Sequence, residues 1–484
     1  MFTNSQITIN KKKRGCSTQY SESTIAAIAT GYGGGIGIIR LSGNEAISIV
    51  KKIFKPYKNV DLIKVPTHSI HYGEIKNHRK LYDQALVSIM RNPKSYTGED
   101  VVEISTHGSC IIMNDILQLC IHHGAKLADK GEFTKRAYLN RKIDLIQAEA
   151  VADLINANTR TAGEIALGHI KGSLSKKIGE YKDKIKELIV QLEVRIEYPD
   201  EDVEPLKKEQ LNKILTLMIY EIERVVSTLG NVELIKNGVS VGIIGRTNVG
   251  KSSIFNRCIN QEKALISNIP GTTRDLIEKE LVYNDISVKL VDTAGIRVIT
   301  QCPLEKMSME KTKQALETVK LLIFVLDASK ELNRDDLDIA KSIKENWNPE
   351  KVIIVLNKID LKKVLIDKDI KRIFQNYSKS NVIEVSAKTG EGISRLMGKI
   401  AQKSKNLIKN LPEDNIISNI RQKHYLEEVA SSLRSAKSSL MSDEQEVLVT
   451  SDLKSALASL GELVGSVTSE EILDTIFDNF CVGK

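Results

Sequence analysis

Nine consecutive residues carry the clearest chemistry in this chain: Gly245-Arg246-Thr247-Asn248-Val249-Gly250-Lys251-Ser252-Ser253. They satisfy G-x-x-x-x-G-K-[ST], a loop that cradles phosphates. An apolar β-type run, Val239 to Ile244, leads in, and a helix-like Ser253-Ile254-Phe255-Asn256 leads out, which is the context such a loop needs. Glycines at the two ends let the backbone wrap phosphates, while successive N–H groups and the helix N-terminus supply partial positive charge. Lys251 is expected to reach the β- and γ-phosphates, and the Ser252 hydroxyl to meet Mg²⁺. The plain alternative, a Gly-rich strand-to-helix turn, leaves three later motifs unexplained. Asp292-Thr293-Ala294-Gly295, after the strand-like Ile286 to Val291, fits the D-x-x-G that senses Mg²⁺ and the γ-phosphate. Asn357-Lys358-Ile359-Asp360, after Val352 to Leu356, fits a guanine reader, in which the acid accepts from N1 and N2 and the amide meets the base edge. Adenine lacks the exocyclic amine, so a buried Asp would be left unpaired against ATP. Ser386-Ala387-Lys388 completes base recognition. Four motifs in this order imply a GTP hydrolase.

Its catalytic equipment departs from the usual. Many GTPases place a Gln just after D-x-x-G to orient the attacking water; here that position is Ile296, which cannot hydrogen-bond to water. A trans arginine finger supplies roughly 10³–10⁵ in rate where it is used, so something must replace both parts. Asn248 offers one answer: its carboxamide oxygen can ligate a monovalent cation beside the phosphates, with backbone carbonyls from Ser267-Asn268-Ile269-Pro270 completing an oxygen cage. A potassium ion there would put positive charge where an arginine finger does. The alternative for Asn248 is a hydrogen bond that shapes the loop. Thr272-Thr273-Arg274-Asp275 reads as the switch stretch; Thr272 and Thr273, together with Ser267 upstream, join the GTP contacts, with Thr273 as the second Mg²⁺-side hydroxyl. Glu305, in Leu304-Glu305-Lys306-Met307, is the candidate for orienting water; its alternative is an ordinary solvated helix Glu.

Composition narrows the class. At 484 residues the chain should hold two to four domains. The net charge of +8 allows an anionic partner without demanding one, since basic residues are spread along the chain. The six cysteines include no C-x-x-C pair, and the eight histidines show no metal-ligand spacing, so neither a zinc site nor a disulfide framework is expected. A reducing cytoplasm fits. No apolar run reaches the roughly 18 residues a membrane-crossing helix needs. Residues 1–23 hold Lys11-Lys12-Lys13-Arg14 and read as a flexible extension of a bacterial protein; a mitochondrial transit peptide, and so the mitochondrial matrix, is the alternative.

The elements that must position these residues follow from periodicity. Residues 24–132 show short β-type runs (Ile25 to Ile28, Ile36 to Leu41, Ala85 to Met90, Val101 to Ile104) and two helix-like stretches, one after Ser42-Gly43-Asn44 and one from Ile111 to His122. This reads as an α+β domain. The cluster Gly31 to Gly37 contains no G-x-G-x-x-G, so no dinucleotide site is expected there. Residues 133–237 turn helical. Leu145, Ala148, Ala152 and Ile155 line one face; Leu174 to Leu192 and Leu211 to Leu229 carry two longer stripes, read as two long antiparallel helices that stop at Asn237-Gly238. Residues 238–405 alternate strands and helices as in a doubly wound α/β domain. Residues 406–484 return to helix, with a stripe at Leu426, Val429, Leu433, Ala436 and Leu440 and a capping box at Thr468-Ser469-Glu470-Glu471. Each helical piece has a one-sided apolar stripe needing a partner. The two are therefore expected to form one bundle with the α/β domain inserted between them.

With these residues in view, the chain resembles the tRNA modification GTPase family MnmE, also called TrmE, over nearly its whole length after Thr24. The matching stretches are Gly37-Ile38-Ile39-Arg40-Leu41-Ser42-Gly43, Tyr96-Thr97-Gly98-Glu99-Asp100-Val101-Val102-Glu103, Gly131-Glu132-Phe133-Thr134, Leu139-Asn140-Arg141-Lys142-Ile143-Asp144-Leu145-Ile146-Gln147-Ala148-Glu149-Ala150 and the terminal Phe480-Cys481-Val482-Gly483-Lys484. The resemblance implies an N-terminal domain that binds tetrahydrofolate (a 5-formyl or 5,10-methylene form) and makes a homodimer. It also implies a helical domain interrupted by the GTPase, and an FAD-dependent partner subunit completing a heterotetramer. That complex acts on the wobble uridine of certain tRNAs, adding a carboxymethylaminomethyl or aminomethyl group at C5, with glycine or ammonium as amino donor. It places folate contacts on Arg40, Glu103, Lys142 and Lys484, K⁺ ligands on Asn248, Ser267, Ile269 and Thr272, Mg²⁺ ligands on Ser252 and Thr273, and water activation on Glu305. Cys481 reads two ways: a nucleophile toward uridine C6, as considered in the family, or a small buried residue ending an apolar helix. The sequence departs from the family pattern at Thr247, His107-Gly108-Ser109 and Tyr32-Gly33. Two rivals lack their own signals. A ribosome-assembly GTPase would need an RNA module, and no G-x-x-G loop in a KH-like setting is found. A membrane-acting GTPase would need a basic amphipathic helix or lipidation signal, and neither is found.

Overall fold

The computed structural model describes residues 23–197, 207–260, 265–266, 277–292, 319–366, 369–370, 373, 381–408, 416–441, 446–466, 469–478 and 480–484. The expected N-terminal extension, but for Ser23, and the interruption at Tyr198-Pro199-Asp200 lie outside the described residues. Two compact units divide the chain: Met1–Ala152 with Gly465–Lys484, and Asp153–Val464. By motif and periodicity the sequence places domain boundaries at 132/133, 237/238 and 405/406.

In the first unit β1 (Ile25–Ile28), β2 (Gly37–Ser42), α1 (Ala46–Ile53), β3 (Phe54–Pro56), β4 (Ser69–Asn77), β5 (Lys80–Met90), β6 (Val101–Thr106), α2 (Cys110–His122), β7 (Lys126–Leu127), α3 (Glu132–Leu139) and most of α4 (Leu145–Ile155) follow in order. The sheet runs β3-β4-β5-β6-β2-β1-β7, antiparallel throughout except where β7 lies parallel to β1. Alternation puts Ile39, Leu41, Val87, Ile89, Val102 and Ile104 on one face, where Ile49, Val50, Met113 and Ile116 from α1 and α2 cover them. The opposite face carries Arg40 and Glu103, which are register partners, and farther out Leu86 opposite Tyr72. Ser69–Asn77 is not legible as a strand from sequence: its Ile70 and Tyr72 are exposed while Gly73 and Ile75 are buried, so no single apolar alternation runs through it.

The second unit holds α5 (Arg160–Ile170), α6 (Ser173–Glu197), α7 (Lys208–Val226), α8 (Leu229–Asn237), β8 (Val239–Ile244), α9 (Lys251–Ile259), β9 (Leu265–Ile266), β10 (Ile277–Tyr283), β11 (Ile286–Asp292), β12 (Leu321–Asp327), α10 (Arg334–Asn346), β13 (Val352–Asn357), β14 (Val382–Glu384), α11 (Ile393–Leu407), α12 (Ile420–Met441) and α13 (Glu446–Val464). Its sheet runs β14-β13-β12-β8-β11-β10-β9. The five strands from β14 to β11 are parallel, and β10 and β9 are antiparallel additions. Helices cover both faces, α9 and α11 on one and α10 on the other. That is why β12 and β13 are buried at every position and read as unbroken apolar runs.

The helical stripes pack as their periods require. α12 lies against both α13 and α7, and α13 against α6, so helices from before and after the α/β domain in sequence form one bundle. Ile178, Tyr181, Leu215, Ile222, Val429 and Leu433 fill the inward positions of these stripes, and all are buried. The expected continuous helix to Asn237 breaks between α7 and α8. There Thr228 Oγ1 donates to Val225 O (2.7 Å) and accepts from Ile417 N (3.2 Å), tying the break to the returning chain. Ile155, read as part of a buried face, is 44% exposed. The last helix, α14 (Glu470–Phe477), belongs to the first unit. Its N-cap is Ser469, whose Oγ accepts from Ile472 N (3.5 Å); Thr468 of the expected capping box lies outside the described residues. Leu473, Phe477 and Phe480 pack with Leu145 and Ala148. No helix among the described residues is long and apolar enough to cross a membrane.

Candidate functional site

The phosphate loop leaves the carboxyl end of β8, the strand between β11 and β12, where an open α/β sheet presents its crevice. Gly250 caps α9 at φ 97, and a Cβ there would stand 2.3 Å from Asn357 Nδ2, so only glycine fits. Asn248 sits at φ 61, a left-handed conformation that Asn tolerates better than most residues. Its side chain is exposed. Lys251 Nζ donates to Gly245 O (2.9 Å) and Arg246 O (2.8 Å).

Base-recognition motifs converge on this loop. The Asn357 amide, expected at the base edge, is committed at both ends inside the protein: Nδ2 donates to Val249 O (2.7 Å) and Oδ1 accepts from Ala387 N (3.0 Å). Asn357 therefore splices the phosphate loop to the Ser386-Ala387-Lys388 loop. Asp360 Oδ1 accepts from Ser386 Oγ (2.6 Å), which also accepts from Thr389 N (3.1 Å). Lys358 Nζ donates to Asn248 O (2.8 Å) and to Asp327 Oδ2 (2.7 Å).

Sequence reasoning passed over three residues here. Asp327 ends β12; burial pushes its carboxyl pKa up, but hydrogen bonds from Lys358 and Ser329 outweigh this and hold it below the ordinary value. Its signal was available: an acid directly after the apolar run 321–326, at the carboxyl end of a strand. Arg257, on α9, donates from Nε to Ala387 O (2.9 Å) and from Nη2 to Lys388 O (2.7 Å), with no motif to announce it. Asp336 lies 3.3 Å from Arg246 Nε, and burial pushes its pKa up. Ser252 and Ser253 are exposed at the start of α9, and Asp292 ends β11. Ser267, Ile269, Thr272, Thr273, Thr293, Ala294, Gly295, Ile296 and Glu305 lie outside the described residues.

In the first unit Arg40 and Glu103 come together. Arg40 Nε and Nη2 each lie 2.8 Å from Glu103 Oε1, Nη1 donates to Gly483 O (3.0 Å), and the guanidinium stands 5.7 Å from the Phe133 ring centre. The tail is fixed further by Gly131 N to Cys481 O (3.4 Å) and a bridge between Lys130 and Val482. Gly483, at φ 95, passes so close to β1 that a Cβ would stand 2.5 Å from Ile28 O. Lys142 Nζ donates to Pro93 O (3.0 Å), and Asn140 Nδ2 to Thr97 O (2.8 Å), placing both against the loop that carries Tyr96. Arg136 bridges Glu132 (2.9 Å) and Glu99 (3.1 Å) beneath that loop, with Ser42 Oγ on Glu99 (2.7 Å). Cys481 is exposed, not buried as one of its readings required. Lys484 is half-buried, its N–H donating to Cys481 O (3.4 Å).

A phosphate loop at the switch of a doubly wound sheet, closed by Asn-Lys-x-Asp and Ser-Ala-Lys loops, defines a protein of the P-loop GTPase class. The family model described as GTP-binding protein TrmE N-terminus matches residues 24–142, and that of the MnmE helical domain matches residues 145–481. The "tRNA modification GTPase MnmE" of Thermoanaerobacter pseudethanolicus is 41% identical over 95% of this chain and 99% of its own length. Those of Carboxydothermus hydrogenoformans and Clostridioides difficile are 41% and 39% identical, each over 96% of this chain and their full length. The chain belongs to the MnmE (TrmE) family.

Proposed function

We propose that this chain is a potassium-activated GTPase. With an FAD-dependent partner subunit, it adds a carboxymethylaminomethyl or aminomethyl group to C5 of the wobble uridine, position 34, of certain tRNAs, using a tetrahydrofolate one-carbon donor. The observation that carries this reading is full-length similarity to tRNA modification GTPases in a chain whose nucleotide motifs converge on one loop.

Contacts among the described residues support this reading. Asn357 and Arg257 hold the loops that would contact the base, leaving Asp360 to accept from guanine. Gly250, at a left-handed φ in tight contact with Asn357, opens α9 where the helix's backbone N–H groups would meet phosphate, with Lys251 beside it. Mg²⁺, held by Ser252 and Thr273, and K⁺, held by Asn248 with Ser267, Ile269 and Thr272, would neutralise phosphate charge during hydrolysis. Glu305 would orient the attacking water. In the first unit the Arg40–Glu103 pair presents both charges on one sheet face, beside the tail that ends in Lys484, a donor and acceptor set suited to a pterin and a carboxylate tail. The β4 and β5 end of the sheet exposes Ile70, Tyr72 and Leu86, apolar surface consistent with a homodimer. Cys481, exposed on the fixed tail, is accessible for a nucleophilic role. A bacterial cytoplasm suits these partners.

Mass spectrometry of tRNA nucleosides from a strain lacking the protein, with and without complementation, tests the reading. Loss and recovery of C5-modified wobble uridine is expected, and unchanged wobble uridine would sink it. For the cation, GTP turnover in KCl should exceed that in NaCl for the wild type, and Asn248→Ala should abolish the difference. Equal rates in all four conditions would remove potassium from the mechanism.

A further inference from the structure

β10 and β11 form a ribbon that touches the nucleotide site at one end and α5 at the other. At the first end β11 finishes at Asp292, in register with Ile243 of β8, two residues before the phosphate loop. At the other, Asn284 and Asp285 make a two-residue turn with both residues left-handed, at φ 50 and 61. The Asp285 carboxylate reaches α5: Oδ1 accepts from Arg160 N (2.6 Å), and Oδ2 from Thr161 N (3.3 Å) and Thr161 Oγ1 (2.9 Å). A helix start leaves its first amides without partners inside the helix. Thr159 Oγ1 takes Ala162 N (3.2 Å), and Asp285 takes the two before it. The first turn of α5 is thus capped partly by its own chain and partly by a residue far downstream in sequence.

Behind the cap lies a cavity of about 340 Å³ lined by Asp153, Asn158, Ala162, Lys236, Glu280 and Lys289, crossed by Asn158 Nδ2 to Glu280 Oε1 (3.2 Å). α5 in turn packs on α6 and makes a buried hydrogen bond from His169 Nε2 to Ile416 O (2.6 Å). We infer that Asp285 is a positioning residue. It ties the ribbon to α5, so that movement of the ribbon with nucleotide state is delivered to the helical bundle through the first turn of α5. The inference rests on the proposed GTPase reading and adds to it the route from nucleotide to tRNA chemistry. A seven-residue strand spans about 23 Å, so the ribbon is long enough to act as a lever between the two sites.

The test uses the full-length protein and three readouts. With GDP or a non-hydrolysable GTP analogue bound, amide exchange at Arg160 and Thr161 should differ in the wild type. That difference should vanish in Asp285→Ala and persist in part in Asp285→Asn, which keeps an acceptor. GTP turnover of Asp285→Ala should stay within about twofold of wild type, as expected for an exposed position away from the loop. Its wobble-uridine modification in the complemented strain should fall by about tenfold, the scale of one lost cap. A wild type with no nucleotide-dependent exchange at α5, or an Asp285→Ala that keeps both the difference and full modification, overturns the inference. Should the wild type fail to restore modification, the functional reading fails instead, while the exchange measurement still decides the latch.

Discussion

Asn357 Nδ2 lies 2.3 Å from where a Cβ on Gly250 would stand, and that one approach sets how the phosphate loop and the base loop lock together. Gly250→Ala must either push Asn357 off Val249 or leave its left-handed φ. A strain of about 1–3 kcal/mol lowers affinity roughly 5- to 150-fold, measurable by titration with a fluorescent GDP. Asp327 makes a second prediction. Its pKa is held down in the folded chain by Lys358 and Ser329, so its contribution is present above the unfolded value of about 3.9 and is lost as pH falls through the lower folded value. Asp327→Asn should therefore lose about 1–2 kcal/mol at pH 7, and the gap to wild type should close in acid below that unfolded value. The single tryptophan, Trp347, packs on the adjacent core and reports it by fluorescence during denaturant unfolding.

At the scale of elements, much was legible because buried faces impose periods. The stripes at Leu174 to Leu192 and Leu426 to Leu440 became the bundle helices, and Val239 to Ile244 became the strand under the phosphate loop. β4 was not legible because one of its faces is left uncovered by its own chain. The terminal helix shows the other limit: a capping signal marks where it begins, while only packing against Leu145 and Ala148 says which core it joins. The tail beyond it depends on Gly483. Gly483→Ala, strained at φ 95 and against Ile28 O, should cost about 1–3 kcal/mol and release the tail from Arg40. Faster trimming by carboxypeptidase and faster amide exchange at Gly483 and Lys484 would report this.

For the whole molecule, the exposed residues of β4 and β5 carry the assembly prediction. Ile70, Tyr72 and Leu86 are 67%, 51% and 46% exposed, apolar surface that a second copy would cover. Tyr72→Glu should weaken the proposed homodimer by about tenfold or more, since it would put a charge in an apolar contact. Light scattering across a dilution series should then give the monomer mass at concentrations where wild type gives twice that mass.

By itself the sequence determined the nucleotide chemistry and the periodicity of its main helices and strands, because phosphate cradling, guanine reading and helical burial each demand particular residues at particular spacings within short stretches. Tertiary structure alone decided what those stretches do to each other. It placed Asn357 between the phosphate loop and the Ser386-Ala387-Lys388 loop, paired Arg40 with Glu103 under a tail from the far end of the chain, and set Asp285 on the start of α5. Each of these is a contact between residues far apart in sequence, and local spacing carries no information about which distant groups a folded backbone will bring within hydrogen-bonding distance.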